Sequence, residues 1–311
     1  LAQADIPLSP DDDAAGRRRG AIGLMILSSV GLSFGGLALR SMQEADAWQI
    51  NVYRSVALVA VVWVMLSIRY RAGAARELRR IGRPGLLAGT MLAMAGICFV
   101  QAITTTTVAN TLFTMSAIPF LTAALAWVFL REPLRRVTLV TMLVAAAGVG
   151  MMVAEGIGSG SAYGNLMALV TATCFSGFAV IVRRHRGIDM LPTLMVSGLV
   201  ITAVSLVATG GALSIPLHDM LLCFLIGGVL SGMGNTLFIT ASRHLAAAEL
   251  TLFMLLEFAL GPIWVWIFVS EVPTGMTIIG GAVVIGAVTV RALTELRRTR
   301  PPVKRGRPTP Y

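Results

Sequence analysis

Gly23 to Ala38 reads GLMILSSVGLSFGGLA, and Gly164 to Ala179 reads GNLMALVTATCFSGFA. Gly23, Phe34, Gly36 and Ala38 return as Gly164, Phe175, Gly177 and Ala179, at a constant offset of 141. Trp127, Phe129 and Glu132 return as Trp266, Phe268 and Glu271 at an offset of 139, and Thr111-Leu112-Phe113 returns as Thr251-Leu252-Phe253. The order is kept throughout, so the chain reads as two copies of one unit. Each copy is almost wholly apolar, and paired apolar helical units are a common way of building membrane carriers.

Of the 311 residues, 56% are hydrophobic and 13% charged, with a mean hydropathy of +0.80. Soluble domains carry about a quarter charged residues, so a water-soluble fold is excluded. Apolar stretches of bilayer-spanning length follow one another at 20–39, 47–68, 84–101, 108–130, 137–154, 162–182, 191–211, 220–241, 249–269 and 274–291. Spanning strands need only about ten residues and alternate in polarity, so these are helices. The expected fold class is an all-α integral membrane protein with ten transmembrane helices. Five spans per copy is an odd number, which makes the repeat inverted. The expected organisation is a disordered N-terminus over 1–19, one five-helix repeat over 20–154, a second over 155–293, and a basic tail over 294–311.

Basic residues set the orientation. With the N-terminus in the cytoplasm, the inner side receives Arg17 to Arg19, the run from Arg69 to Arg83, Arg131, Arg135, Arg136, Arg183, Arg184, Arg186, Arg243 and the tail, while the outer side receives Arg40 alone. Both termini then lie inside a bacterial-type cytoplasmic (inner) membrane. The net charge of +10 and pI near 10.9 follow from these flanks. They touch lipid headgroups and are no sign of a nucleic-acid partner. The first segment matches the sixth, so it reads as part of the repeat and not as a cleaved leader. Ten spans suffice for a monomer.

Cys98, Cys174 and Cys223 lie inside spans without metal-ligand spacing, and His185, His218 and His244 are scattered near loops. No catalytic set is visible, so neither an enzyme nor a metal or organic cofactor is expected. A small-molecule substrate and lipid are the expected partners.

Two charges interrupt the spans, Arg54 and Glu257. An intramembrane charge costs about 2.5 to 3.5 kcal/mol on insertion scales and usually faces a cavity or a partner. Their depths differ by roughly 7 Å, from about 1.5 Å of rise per residue. One reading has them line a transport route, with Arg54 meeting a carboxylate of the substrate; the other has Arg54 snorkel or cap carbonyls and Glu257 bond to them. Pro119 and Pro262 inside spans free backbone groups and are candidate hinges, or static kinks. Tyr53, Phe99, Phe113, Trp127, Phe175, Phe178, Phe238 and Trp264 are candidate walls of a substrate pocket, although aromatic residues also face lipid or core.

These features resemble the drug/metabolite transporter superfamily and its EamA-type members. The resemblance rests on Asn51-Val52-Tyr53-Arg54-Ser55, Ala117-Ile118-Pro119, Leu130-Arg131-Glu132-Pro133 with its echo Ser270-Glu271, and the glycine-rich fifth and tenth spans. It covers about 20–293. It departs from the family at Ser33-Phe34 and Ser176-Gly177, where a tryptophan is frequent, and at Glu257-Phe258, where a glutamate-proline pair is usual. The resemblance implies secondary transport of small metabolites by alternating access, with export or exchange of neutral or aromatic amino acids as the leading reading. The aromatic amino acid exporters are one branch of the family so resembled. Proton-coupled efflux of lipophilic cations, using Glu257, is the competitor; a membrane-embedded enzyme or a channel lies further off.

Overall fold

The computed structural model describes residues 10–131, 136–158, 162–185, 187–241 and 247–299. These form α1 (Pro10–Arg40), α2 (Ala47–Tyr70), the short α3 (Ala74–Arg80), α4 (Gly82–Thr105), α5 (Val108–Met115), α6 (Ile118–Leu130) and α7 (Arg136–Gly158). After them come α8 (Ala162–Arg184), α9 (Thr193–Ala208), α10 (Leu217–Phe224), a π-helical segment (Leu225–Met233), α11 (Gly234–Ala241), α12 (Ala247–Val269) and α13 (Gly275–Thr299). Among the described residues there is no strand.

Six segments are long and apolar enough to cross a membrane: Arg19–Arg40, Ala47–Tyr70, Gly82–Thr105, Val108–Phe129, Ala162–Arg184 and Leu217–Ala241. Shorter apolar stretches occupy Leu139–Met151, Thr193–Ala208, Leu256–Val269 and Gly275–Val290. The protein is therefore an all-helical integral membrane protein. Helix α1 starts at Pro10, so residues 10–19, read from composition as disordered, are helical, and α13 continues to Thr299. Residues 1–9 and 300–311, the rest of the expected disordered ends, lie outside the described residues, as do Glu132 and His244.

Local chemistry sets several boundaries. Asp46 caps α2 by accepting from the amides of Trp48 and Gln49, while the Gln49 side chain accepts from the Asp46 amide, a reciprocal capping box. Thr107 caps α5 through the Asn110 amide. The fourth apolar stretch breaks at Ser116 and Ala117, and Pro119 stands in the first turn of α6, where its missing N–H costs nothing. Pro262 instead lies inside the continuous α12.

Packing neighbours run in a ring. Helix α1 packs against α12 and against the π-segment and α11; α2 packs against the π-segment and α9; α4 packs against α9 and α8; α8 packs against α5 and α6; and α5 returns to α12. Helices α7 and α13 pack on each other and flank the ring beside α5, α8 and α12. Several pairings of the ring have a mate when the first and second halves of the chain are exchanged: α4 with α8 answers α11 with α1, and α2 with the π-segment answers α9 with α4, whereas α5 with α13 and α7 with α8 have none of comparable extent. One buried cluster fills the ring, including Leu39, Ile50, Val100, Leu112, Ile118, Ala172, Cys223, Ile226 and Phe258.

Polar contacts gather the helix ends. Arg40 reaches Thr106 and Glu271, Asp219 holds residues 43–45, Gln49 reaches residues 212 and 214, and Thr106 meets Asn165. At the opposite end, Arg69 and Tyr70 close α2 onto Asp189 between α8 and α9. There Ala21 and Met25 of α1 pack with Ala241 and Phe253.

Candidate functional site

Arg54 lies in the interior of α2 and is 7% exposed. Its Nη2 donates to Asn51 Oδ1 one turn back and to the Gly96 carbonyl of α4, each at 3.0 Å. Glycine at 96 permits that approach, since a Cβ there would stand 3.2 Å from Arg54 Nη2 and 3.0 Å from Ile201. On the other side the π-segment presses Gly227 against the Arg54 peptide, where a Cβ would fall 1.9 Å from the carbonyl oxygen. Ser55 Oγ extends the polar surface to Thr202 of α9 at 2.8 Å. Two donors stay unsatisfied: Arg54 Nε and Asn51 Nδ2 are buried without a hydrogen-bond partner. Buried donors normally find partners, so a pair of spare ones beside a guanidinium marks this polar step as a candidate anion-binding position.

The candidate aromatic residues are placed unevenly in the bundle. Tyr53, Phe99 and Phe175 pack on the central cluster, and the Tyr53 hydroxyl donates to the Leu213 carbonyl at 2.6 Å. The Phe175 ring lies 5.7 Å from Phe178 and 6.4 Å, edge-on, from Phe238. Trp264 stacks on Phe34 at 5.0 Å and 10° and donates its Nε1 proton to Ser33 Oγ at 2.9 Å. Phe113 stands apart, packed against Gly281 of α13 with Ala117, Ala145 and Val284, on the flank of the ring. Trp127 is 54% exposed, and Val128 and Phe129 beside it are exposed too. Among the described residues none buries this helix end, which suits a lipid-facing position.

Glu257 is half-buried on α12, one turn before Gly261, which meets Leu112 and the Ser33 carbonyl. Among the described residues none hydrogen-bonds or ion-pairs with it. Arg54 and Glu257 do not meet: α1 and the π-segment stand between α2 and α12 in the ring. Depth alone cannot bring together residues on different sides of a bundle. Cys98 and Cys223 are buried, and no group of three or more His, Cys, Asp or Glu able to hold a metal occurs among the described residues.

Several functional candidates escaped the sequence reading. Asn51 stands three residues before Arg54 on the same helical face and could have been found by that spacing. Phe34 could have been found as the repeat mate of Phe175. The glycines at 227 and 228 allow a close approach, but nothing in the sequence names Arg54 as the residue approached.

Residues 19–154 match the EamA-like transporter family. Two curated relatives, each called Pseudopaline exporter CntI, from Pseudomonas aeruginosa strains UCBPP-PA14 and PAO1, are 25% identical over 278 residues. The match takes in 88% of this chain and 95% of each relative. A solved structure, described only as "Crystal structure of protein", superposes with a TM-score of 0.61 at 17% identity. It covers 90% of this chain and 99% of that one, so the two share a fold.

Proposed function

We propose, from the premise that residues 19–154 belong to the EamA-like transporter family, that this protein is a secondary carrier exporting small carboxylate-bearing metabolites. Neutral and aromatic amino acids are the leading class. The observation that carries the reading is the pair of unsatisfied buried donors, Arg54 Nε and Asn51 Nδ2. They would take the substrate carboxylate, and the wall of Tyr53, Phe99 and Phe175 would take an apolar or aromatic side chain. The relatives' name, a pseudopaline exporter, supports export as the direction.

The exchange symmetry of the packing supports ten spans in two inverted five-helix repeats, with the halves rocking about a site between them. The gathered helix ends agree, because α1 and α9 end where α2, α8 and α10 begin. The basic flanks support an inner-membrane protein with both termini in the cytoplasm. The carrier acts as a monomer on this reading.

A second reading has one observation in its favour. The half-buried, unpartnered Glu257 suits a cation or a proton, which keeps proton-driven export of lipophilic cations in play. Uptake of labelled amino acids and of lipophilic cations into proteoliposomes, with and without a pH gradient, separates the two. Saturable amino acid flux supports the carboxylate carrier; gradient-dependent cation flux without amino acid flux would replace it.

A further inference from the structure

The end of the bundle that holds Arg40 and Glu271 is tied by two kinds of contact. The first is permanent in character. Asp219, at the start of α10, is fully buried and its carboxylate accepts from the amides of Gln43, Glu44 and Ala45 at 2.9 to 3.1 Å. A carboxylate buried among successive backbone donors gains nothing from leaving them, so this contact fixes the α1–α2 turn to α10.

The second contact is different. Arg40 closes α1 and places Nε 2.8 Å from Glu271 Oε2, in the turn between α12 and α13. Its Nη2 also donates to the Thr106 carbonyl in the turn between α4 and α5. The other oxygen of Glu271 accepts from the Val108 amide, the first of α5, at 2.7 Å. One ion pair thus joins three turns drawn from both halves of the chain. The side chains remain 26% and 19% exposed, so water reaches part of the pair, while Arg40 Nε itself is buried and Val108 is closed to solvent. Ser270, at φ 58°, aims Glu271 inward, and its repeat mate Arg131 adopts the same left-handed backbone at φ 54° before Glu132. The turn geometry therefore belongs to the repeat and is not an accident of one loop.

Beneath the pair lies the apolar cluster of Ala38, Leu39, Val108, Leu112, Phe258 and Val265, which also buries Cys223 completely. We propose that the Arg40–Glu271 pair, with the turns at Thr106 and Val108, is a reversible latch that holds this end of the bundle closed. Its release lets α1, α5 and α12 part above the apolar cluster, opening the interior to that side. The proposal rests on the carrier reading for its purpose, but its mechanical content does not depend on the substrate.

Cys223 supplies the readout. In the Cys98→Ser, Cys174→Ser background it is the remaining thiol, and its reaction with a bulky polar maleimide is followed in open membrane sheets without substrate. Glu271→Gln and Arg40→Gln are each expected to speed labelling several-fold, and the double variant is expected to add nothing beyond the faster single one. The charge-swapped pair, Arg40→Glu with Glu271→Arg, is expected to slow labelling relative to the single variants, short of the wild-type rate because the Thr106 carbonyl and the Val108 amide keep their polarity, and that partial recovery separates a latch from general loosening. Arg80→Gln, which removes an exposed ion pair with Glu77 away from the latch, should leave the rate unchanged. Unchanged labelling in both latch variants, or an equal rise in Arg80→Gln, would overturn the proposal. Loss of amino acid flux would bear only on the substrate reading.

Discussion

Gly227 and Arg54 touch through their backbones, so that a Cβ at 227 would lie 1.9 Å from the Arg54 carbonyl oxygen. The π-helical segment brings this about. A π-turn widens the helix and shifts the residues after it, and such turns concentrate at functional sites. Here the segment between α10 and α11 itself lies against the residue that carries the buried charge.

Gly227→Ala tests that contact. Alanine ordinarily stabilises a helix by about 0.5 to 1 kcal/mol relative to glycine. At 227 the methyl would meet backbone, which cannot rotate away, so the substitution is expected to lower the thermal midpoint in detergent and abolish flux. Gly286→Ala on α13, where nothing lies within 4 Å, is expected to hold or raise the midpoint. Equal behaviour of the two variants would mean the approach is not rigid.

Arg54→Lys separates charge from shape. Lysine keeps the charge but loses the planar fork that reaches Asn51, Gly96 and a further acceptor together. The expected outcome is a KM raised about tenfold, equivalent to roughly 1.4 kcal/mol, with protein present in the membrane at normal level. Transport assays on purified variant and wild type check it, and an unchanged KM would point to a purely structural arginine.

The aromatic residues divide by position. Phe175→Ala, in contact with Phe178 and Phe238, is expected to weaken transport of ring-bearing substrates more than that of small ones. Trp127→Ala, at an exposed position, is expected to leave flux within about twofold, since lipid replaces the lost contacts. Competition assays with a large and a small amino acid distinguish the two. A selective loss in the Trp127 variant would return that residue to the pocket.

Asp219→Ala leaves the amides of Gln43, Glu44 and Ala45 without their acceptor. Each hydrogen bond to a charged acceptor is worth about 1.5 to 3 kcal/mol. The variant is expected to be among the least stable single substitutions in the chain, as read by thermal melting in detergent. Asp219→Asn, which keeps one acceptor oxygen, should fall between it and wild type.

Much of the architecture was legible because lipid imposes length and polarity on each segment. The repeat paired Phe34 with Phe175 without marking Phe34 as a site residue, and the proline at 119 stands at a real break in the fourth apolar stretch. The site was less legible. Hydropathy gives the depth of Arg54 and Glu257 but not their azimuth, and the ring separates them. Composition likewise cannot tell Phe175, which faces the centre, from Phe113, which packs on the flanking α13, or from Trp127, which faces outward. Nor does charge along the chain reveal that Arg40, alone on its side, would find Glu271 more than two hundred residues away.

The central claim is that Arg54, with Asn51, receives the carboxylate of an exported metabolite. The direct measurement compares, in proteoliposomes, competition by an amino acid and by its carboxamide for the same labelled flux, in wild type and in Arg54→Ala. The account predicts that wild type prefers the free acid at least tenfold and that the variant loses this preference while retaining residual flux. A preference that survives the loss of Arg54 would contradict it and move carboxylate recognition elsewhere in the bundle.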